Sequence, residues 1–407
     1  MLKSIRILHH YTIHYKSEPV YSASSLLQDL CRLPHRGAAT PQGTEAARLL
    51  QSYLTEMGAE VRTESFQTPR TYLTIVYWLI GGLLVSLALI PVSGVAVGLV
   101  LYFTVMAWRY FNWNYSFITR FPVQYTASNV IGSWSSGGLK ENRRKVVLMA
   151  HYDTAPVSLL YSPRQQANFR VSLIISLWLM GFSVGIAALE ALKVGLPYVQ
   201  YVRYGLMVYF GIQAVMGTLG YWLQGYTNGA SDNATGVAAA LATAERLKDV
   251  HLPDLDIEVV LTSAEEVGMI GAHSYVETHK RTWKRTQTMA INFDTLGAGK
   301  LTVIEQTGTV ERIRYDNTVT QLARQLLVSD RFKDRAQVGR WHTADFDSVW
   351  FVRNRIPVLA LCGLDDQGRM PRIHQPADTL EQVETRPMND AIDLAEAVVL
   401  KWITNNG

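Results

Sequence analysis

Lys145-Val146-Val147-Leu148-Met149-Ala150-His151-Tyr152-Asp153 reads as a strand that ends on a histidine and, two residues later, on a carboxylate. Its apolar run does not alternate, which is the pattern of a strand covered on both faces. The pattern recurs outward along the chain. Residues 257–262, 289–293 and 357–361 are short apolar strands, and helices over 230–248, 266–278, 317–327 and 389–403 alternate with them. Upstream, helices are expected over 22–33 and 44–57, the second capped by Thr44 and stopped by Gly58. Strands follow over 60–66 and 128–132, and 135–142 is rich in turn residues. Apolar strands alternating with helices predict an α/β fold, with a mixed, mainly parallel sheet sandwiched by helices.

In such sheets ligands bind beyond the carboxyl ends of the strands. His151, Glu265-Glu266, Asn292-Phe293-Asp294 and His374-Gln375-Pro376-Ala377-Asp378 all follow a strand, and Asp232, in Ser231-Asp232-Asn233, is expected to open a helix. Each has an ordinary reading taken alone: a turn, a helix cap, solvated acids or a surface histidine. Asp294 resists it best, because a carboxylate closing a buried strand needs a counter-charge. Together, two histidines and three carboxylates beside one spare glutamate make the ligand inventory of a two-zinc site, whereas structural zinc favours cysteine. Asp153 is placed to accept the second ring N–H of a metal-bound His151, or otherwise to fix its setting. His273 and His279 are six residues apart and do not share a helix face.

The 407 residues, 48% of them hydrophobic, allow a large core, and the net charge of +4 is scattered, which gives no support to nucleic-acid binding. Cys31 and Cys362 stand outside any CxxC spacing and read as reduced thiols. Two blocks, 71–108 and 171–223, are nearly free of charge, and each breaks in the middle: at Pro91-Val92-Ser93-Gly94, and at Glu190, Lys193, Gly195 and Pro197. They predict two transmembrane hairpins of four spans, with Trp78, Trp108, Tyr77, Tyr102, Trp178 and Tyr221 as interfacial aromatics. Gly94 with Gly98 and Gly181 with Gly185 have the spacing of close helix approach. Glu190 and Gln213 read as unpartnered, which argues against a transporter.

Hairpins return the chain to its starting side, so residues 1–70, 109–170 and 224–407 form one domain on one face of the bilayer. Arg62, Arg70, Arg109, Arg120, Arg164 and Arg170 lie on that side, against Lys193 and Arg203 on the other, so the domain is expected to face the cytoplasm. Residues 1–18 contain no apolar run and do not read as a cleavable signal. Asn114-Tyr115-Ser116 and Asn233-Ala234-Thr235 match the glycosylation pattern by chance.

Ala150-His151-Tyr152-Asp153, Gly229-Ala230-Ser231-Asp232-Asn233-Ala234-Thr235-Gly236, Ala264-Glu265-Glu266-Val267-Gly268, Asn292-Phe293-Asp294 and His374 with Asp378 together resemble metallopeptidase family 28. That family, among the co-catalytic zinc exopeptidases, contains the bacterial zinc aminopeptidases. The resemblance implies two Zn2+ ions: His151 and Asp294 on one, Glu266 and His374 on the other, Asp232 bridging. It also implies that Asp153 orients His151 and that Glu265 is the general base. Where the family often has Ser-Asp-His before a Phe, this chain has Ala344-Asp345-Phe346-Asp347-Ser348. The expected activity is that of a membrane-anchored di-zinc aminopeptidase, with a peptide substrate and the lipid bilayer as partners, no nucleic acid, and the oligomeric state left open. A carboxypeptidase or N-acyl amino acid amidohydrolase would use the same metals, and a non-catalytic peptide-binding scaffold would have lost ligands. The second hairpin falls between two ligand motifs, so the cleft is expected to open close to the bilayer.

Overall fold

The computed structural model describes residues 6–8, 11–13, 22–112, 114–136, 143–194, 196–250 and 254–405. Most of the N-terminal stretch, residues 137–142 of the turn-rich segment and Gly195 lie outside them. Strands β1 (Arg6–Leu8) and β2 (Tyr11–Ile13) form a separate antiparallel pair. The main sheet contains β3 (Glu60–Thr68), β4 (Tyr125–Trp134), β5 (Arg144–His151), β6 (Leu255–Thr262), β7 (Thr288–Asp294), β8 (Lys300–Thr307), β9 (Ile313–Arg314), β10 (Ala336–Arg340) and β11 (Val358–Leu364). Its order is β10-β8-β11-β7-β5-β6-β4-β3, with β9 against β8.

The four strands β11, β7, β5 and β6 run parallel in the centre, while β8 joins β11, β4 joins β6 and β3 joins β4 antiparallel. The parallel character expected from the apolar runs therefore belongs to the buried centre. The edges, which alternate polar and apolar residues, are antiparallel or, in β8 and β10, parallel only to each other. Strands β8 and β10 were not legible as strands, because Lys300, Thr302 and Gln306 interrupt one and Gln337, Gly339 and Arg340 the other.

Helices α1 (Ala23–Arg32) and α2 (Pro41–Glu56) precede the sheet. The second is capped by Thr40, not Thr44: Thr40 accepts the Gly43 N–H at 3.1 Å, and Pro41 occupies the first turn with its φ already set. After α3 (Tyr72–Leu89), α4 (Val95–Phe111), α5 (Gln166–Ala191) and α6 (Val199–Gln224) come α7 (Thr235–Asp249), α8 (Ile270–His279), α9 (Thr318–Leu327), α10 (Val349–Arg353) and α11 (Thr385–Asn405). Alternate residues of β5 feed two cores. Val146, Leu148 and Ala150 pack with α1, α2, α7, α9 and α11, and Val147 and Met149 pack on the other face with α8 and α10. Each buried side chain of this size contributes about 1.5–3 kcal/mol.

Both apolar blocks fold as helical hairpins at the expected breaks. Helices α3, α5 and α6 are long and apolar enough to cross a membrane; α4, with 17 residues, falls short of that length. At 1.5 Å per residue it spans about 26 Å, against a hydrocarbon core of about 30 Å. Three sequence expectations about these helices are corrected. Arg203 is buried and its Nε donates to Glu190 Oε2 at 2.8 Å while Nη1 donates to the Leu87 carbonyl, so Glu190 has a partner and Arg203 is not a free loop charge. A Cβ on Gly94, Gly98, Gly181 or Gly185 would meet nothing within 4 Å, so these are not close-approach sites; Gly220, whose Cβ would lie 2.6 Å from the Val157 carbonyl oxygen, is one. Trp178 is 68% exposed but sits at the midpoint of α5, far from either end, so it is no interfacial anchor.

Candidate metal centre

Parallel register brings the strand-end residues together. His151 closes β5 opposite Thr262 of β6, and Asp294 closes β7, the neighbour of β5 on its other side. Asp232 does not open a helix as expected. It lies in an irregular turn before α7 with φ −113° and ψ 84°, and the Asp232–Asn233 peptide is cis. What holds this turn is the buried carboxylate of Asp378, which accepts the N–H of Ser231 at 2.7 Å and that of Asp232 at 3.0 Å. Asn233 adds three bonds: its amide donates to the Phe293 carbonyl, and its oxygen accepts from Gly236 and Thr295. Its side chain is thus fully engaged inside the fold, consistent with a chance glycosylation match.

Glu265 and Glu266 do not form a first helical turn either, because α8 begins only at Ile270. They occupy a loop entered through Ala264 at φ +59° and left through Gly268 at φ +123° and Met269 at φ +56°. Left-handed backbone at non-glycine residues costs about 1–2 kcal/mol each. It also turns two successive N–H groups toward Asp153, whose oxygens accept Glu265 N at 3.1 Å and Glu266 N at 3.2 Å. Asp153 therefore does less to the His151 ring than its spacing suggested. Its carboxylate is 3.8 Å from Nδ1, and the ring bonds instead to the Asp153 backbone carbonyl at 3.1 Å, leaving Nε2 facing the site. His374, also left-handed at φ +55°, packs against Tyr161 with ring centroids 4.4 Å apart and the planes tilted by 51°.

These elements gather two groups of donors that share one residue. His151 Nε2 lies 3.3 Å from Asp232 Oδ1 and 3.6 Å from Asp294 Oδ2. His374 Nε2 lies 3.4 Å from Asp232 Oδ2 and 3.0 Å from Glu266 Oε2. Within each group all donor atoms fall within 4.8 Å of one another, the separation a single ion would span. Glu265 belongs to a third such group, with His151 and Glu266, yet among the described residues it makes no ion pair with either histidine.

The charge inventory supports cation binding. Asp153, Asp232, Asp294, Asp347 and Asp378 are buried, and the buried cation beside them, Arg36, spends its donors on the carbonyls of Tyr152, Asn228 and Gly229. Enclosure raises Glu265 well above the usual carboxylate range, with Glu266, Asp347 and Asp294 adding to it against His151; Glu266 rises to about 7. Asp232 is lowered, because His151 and His374 outweigh its burial. Burial opposes protonation of both histidines, but the carboxylates win, and His374 reaches about 10. Glu266 Oε1 is buried without a hydrogen-bond partner. So many acids in so small a volume are stable when divalent cations neutralise them, and the imidazole and carboxylate donors suit zinc.

Arg36 was not found from the sequence. Nothing in the local pattern after α1 separates it from a surface arginine, and its partners at Tyr152, Asn228 and Gly229 lie more than 100 residues away. The substituted stretch Ala344-Asp345-Phe346 lines the cavity over the donors, together with Trp341 and Thr343.

Comparison with known proteins agrees with this geometry. No curated protein sequence matches the chain. Among solved structures, a zinc aminopeptidase of Bacillus subtilis superposes with a TM-score of 0.55 at 14% identity, covering 95% of this chain and 96% of the other. A Zn-dependent exopeptidase of Parabacteroides distasonis gives 0.52 at 16% identity over 95% and 98%. Glutaminyl cyclase of Porphyromonas gingivalis gives 0.53 at 15% over 96% and 100%. At these identities the likeness is one of fold. The model of peptidase family M28 matches residues 214–399, the segment that carries Asp232, Glu265, Glu266, Asp294 and His374. Strand-end donors, fold and matched sequence point the same way: residues 214–399 match the model of peptidase family M28, and the fold is that of zinc exopeptidases.

Proposed function

We propose that the chain is a membrane-anchored zinc exopeptidase that removes N-terminal residues from peptides, with its catalytic domain on the cytoplasmic face. His151 and Asp294 would hold one zinc, Glu266 and His374 the other, and Asp232 would be shared. The observation that carries this reading is the division of the Asp232 oxygens, one toward each histidine. When bound, two such ions acidify a water and polarise a scissile carbonyl. Glu265 is the proton carrier: it takes a proton from the attacking water, the water oxygen bonds to the carbonyl carbon, the C–N bond breaks, and the amine leaves with the proton. Burial among other acids raises the proton affinity of Glu265, and bound cations would restore the free carboxylate that a general base needs. Asp153 and Asp378 position the two ligand loops through backbone N–H groups, and Arg36 ties the turn before Asp232 to the Tyr152 carbonyl beside His151.

The fold also carries other chemistry, since one structural neighbour is a glutaminyl cyclase, and a carboxypeptidase or N-acyl amidohydrolase would use the same donors. Turnover of N-terminally free against N-acetylated peptides, with products identified by mass, separates these activities. The central test is zinc content and turnover of wild type and Glu265→Gln. Two zinc ions are expected in both, with turnover reduced about 10²–10⁴-fold in the variant; full turnover in the variant would remove Glu265 as the base.

A further inference from the structure

The cavity over the metal centre does not end there. His151, Asp232, Glu265, Glu266, Asp294 and His374 line it together with the loops around Tyr161 and Phe346, and residues from all four apolar helices extend it further. On α3 the lining runs from Tyr72 to Ile80, on α5 from Phe169 to Met180, and on α6 from Gly217 to Phe210. At 1.5 Å per residue these are runs of about 12, 16 and 10 Å along the helices. The wall of this inner part is Val76, Ile80, Leu173, Met180 and Phe210, with Ser176 and Gln213 as its polar members. The Ser176 hydroxyl is already engaged by the Ser172 carbonyl and the Tyr209 hydroxyl.

We infer that this inner cavity holds the hydrocarbon tail of an amphiphilic amide whose scissile bond sits at the metal centre. The inference rests on the amide hydrolysis proposed above and names its substrate class. A peptide segment threaded between these helices would bury N–H and C=O groups with almost nothing to bond them, each at a cost of several kcal/mol. An alkyl chain buries no polar group there. The reaction is the same: water adds to the carbonyl carbon, the C–N bond breaks, and the products are a carboxylic acid and an amine. The tail belongs either to the acyl side, as in an N-acyl amino acid, or to the amine side, as in an aminoacyl alkylamide with a free N-terminus. The cavity chemistry is common to both.

The test uses the zinc-loaded full chain in nanodiscs with two soluble series, N-acyl-alanines and alanine n-alkylamides, of increasing chain length. In one series kcat/KM is expected to rise about fourfold per methylene until the cavity is filled, and the series that responds identifies the side bearing the tail. Ile80→Trp is expected to move the plateau to shorter chains and to lower the ratio of long-chain to short-chain turnover at least tenfold. Flat dependence in both series, or an unchanged ratio in Ile80→Trp, overturns the inference. A second arm uses zinc-loaded Glu265→Gln and a dodecanoyl-alanine with a terminal diazirine, whose adducts should map to the lining of α3, α5 and α6 and be competed by unlabelled compound. Adducts confined to lipid-facing residues without competition would refute the cavity assignment. Mapped adducts without wild-type turnover would refute the hydrolase and leave the cavity assignment standing.

Discussion

Single side chains decide how firmly the metal centre is held. Asp378 touches no donor atom of the two histidines, yet it fixes the backbone of the residue that both groups share. Asp378→Asn keeps the shape and removes the charge that receives the Ser231 and Asp232 N–H groups. Zinc affinity, measured by competition with a chelating dye, should fall about 10–100-fold while the circular dichroism spectrum stays native; unchanged affinity would deny Asp378 a positioning role. Proton linkage gives a second expectation. Burial lifts Glu266 to about 7, and the carboxylates hold His374 at about 10 against its burial, so without zinc His374 carries a proton at neutral pH and Glu266 carries one in part, fully below it. Zinc needs them deprotonated, so binding releases protons and affinity must rise with pH, roughly tenfold per pH unit for each proton released. Titration calorimetry in buffers of different ionisation enthalpy reads that proton number directly, and zero release would contradict the donor assignment. The five candidate donors and Glu265, which the fold gathers, were legible because each stands beside a recognisable strand or motif. Arg36 and the backbone role of Asp378 were not, because a side chain's distant carbonyl and N–H partners leave no local pattern.

Secondary-structure segments were legible where periodicity was strong and were misplaced where a special residue intervened. The α8 start slipped from 266 to 270 because Ala264, Gly268 and Met269 take left-handed backbone, which propensity does not foresee in alanine or methionine. Glycine spacing in the hairpins was equally uninformative, since the sequence shows the spacing but not which face meets a neighbour. Gly220 carries the clearer constraint. A methyl group there meets the Val157 backbone oxygen at 2.6 Å, and the loop from Val157 leads into Tyr161 over the site. Gly220→Ala should destabilise the chain by about 1–3 kcal/mol and lower turnover. Gly185→Ala, in open space, should be neutral or stabilising by up to about 1 kcal/mol. Thermal unfolding in detergent compares the two, and equal effects would mean that α6 does not rest on that loop.

The arrangement of the entire chain depends on parity. His151 lies before the second hairpin and the other donors after it, so their meeting requires an even number of crossings between them. If α3 to α6 cross the bilayer as two hairpins, as proposed, the tight loop near Ser93 and the exposed loop near Asp330 lie on opposite sides of it. Ser93→Cys and Asp330→Cys should therefore react with an impermeant maleimide from opposite faces of oriented vesicles, Asp330→Cys from the cytoplasmic one. Labelling of both from one face would end the two-hairpin topology. The Glu190–Arg203 pair, where the second hairpin turns, is half of that design: a charge that looks isolated in sequence is neutralised thirteen residues later by the partner helix.

Local chemistry along the chain was enough to determine the strand–helix alternation, the two apolar hairpins and the candidate donor residues that the fold gathers, because periodicity, hydropathy and strand-end motifs are properties of neighbouring residues. Only the tertiary structure decided that Asp232 offers one oxygen to each histidine, that Asp153 and Asp378 act through backbone N–H groups, and that the metal centre opens into the helical bundle. Those features arise from contacts between segments tens to hundreds of residues apart, and distance in space is what a linear pattern does not encode.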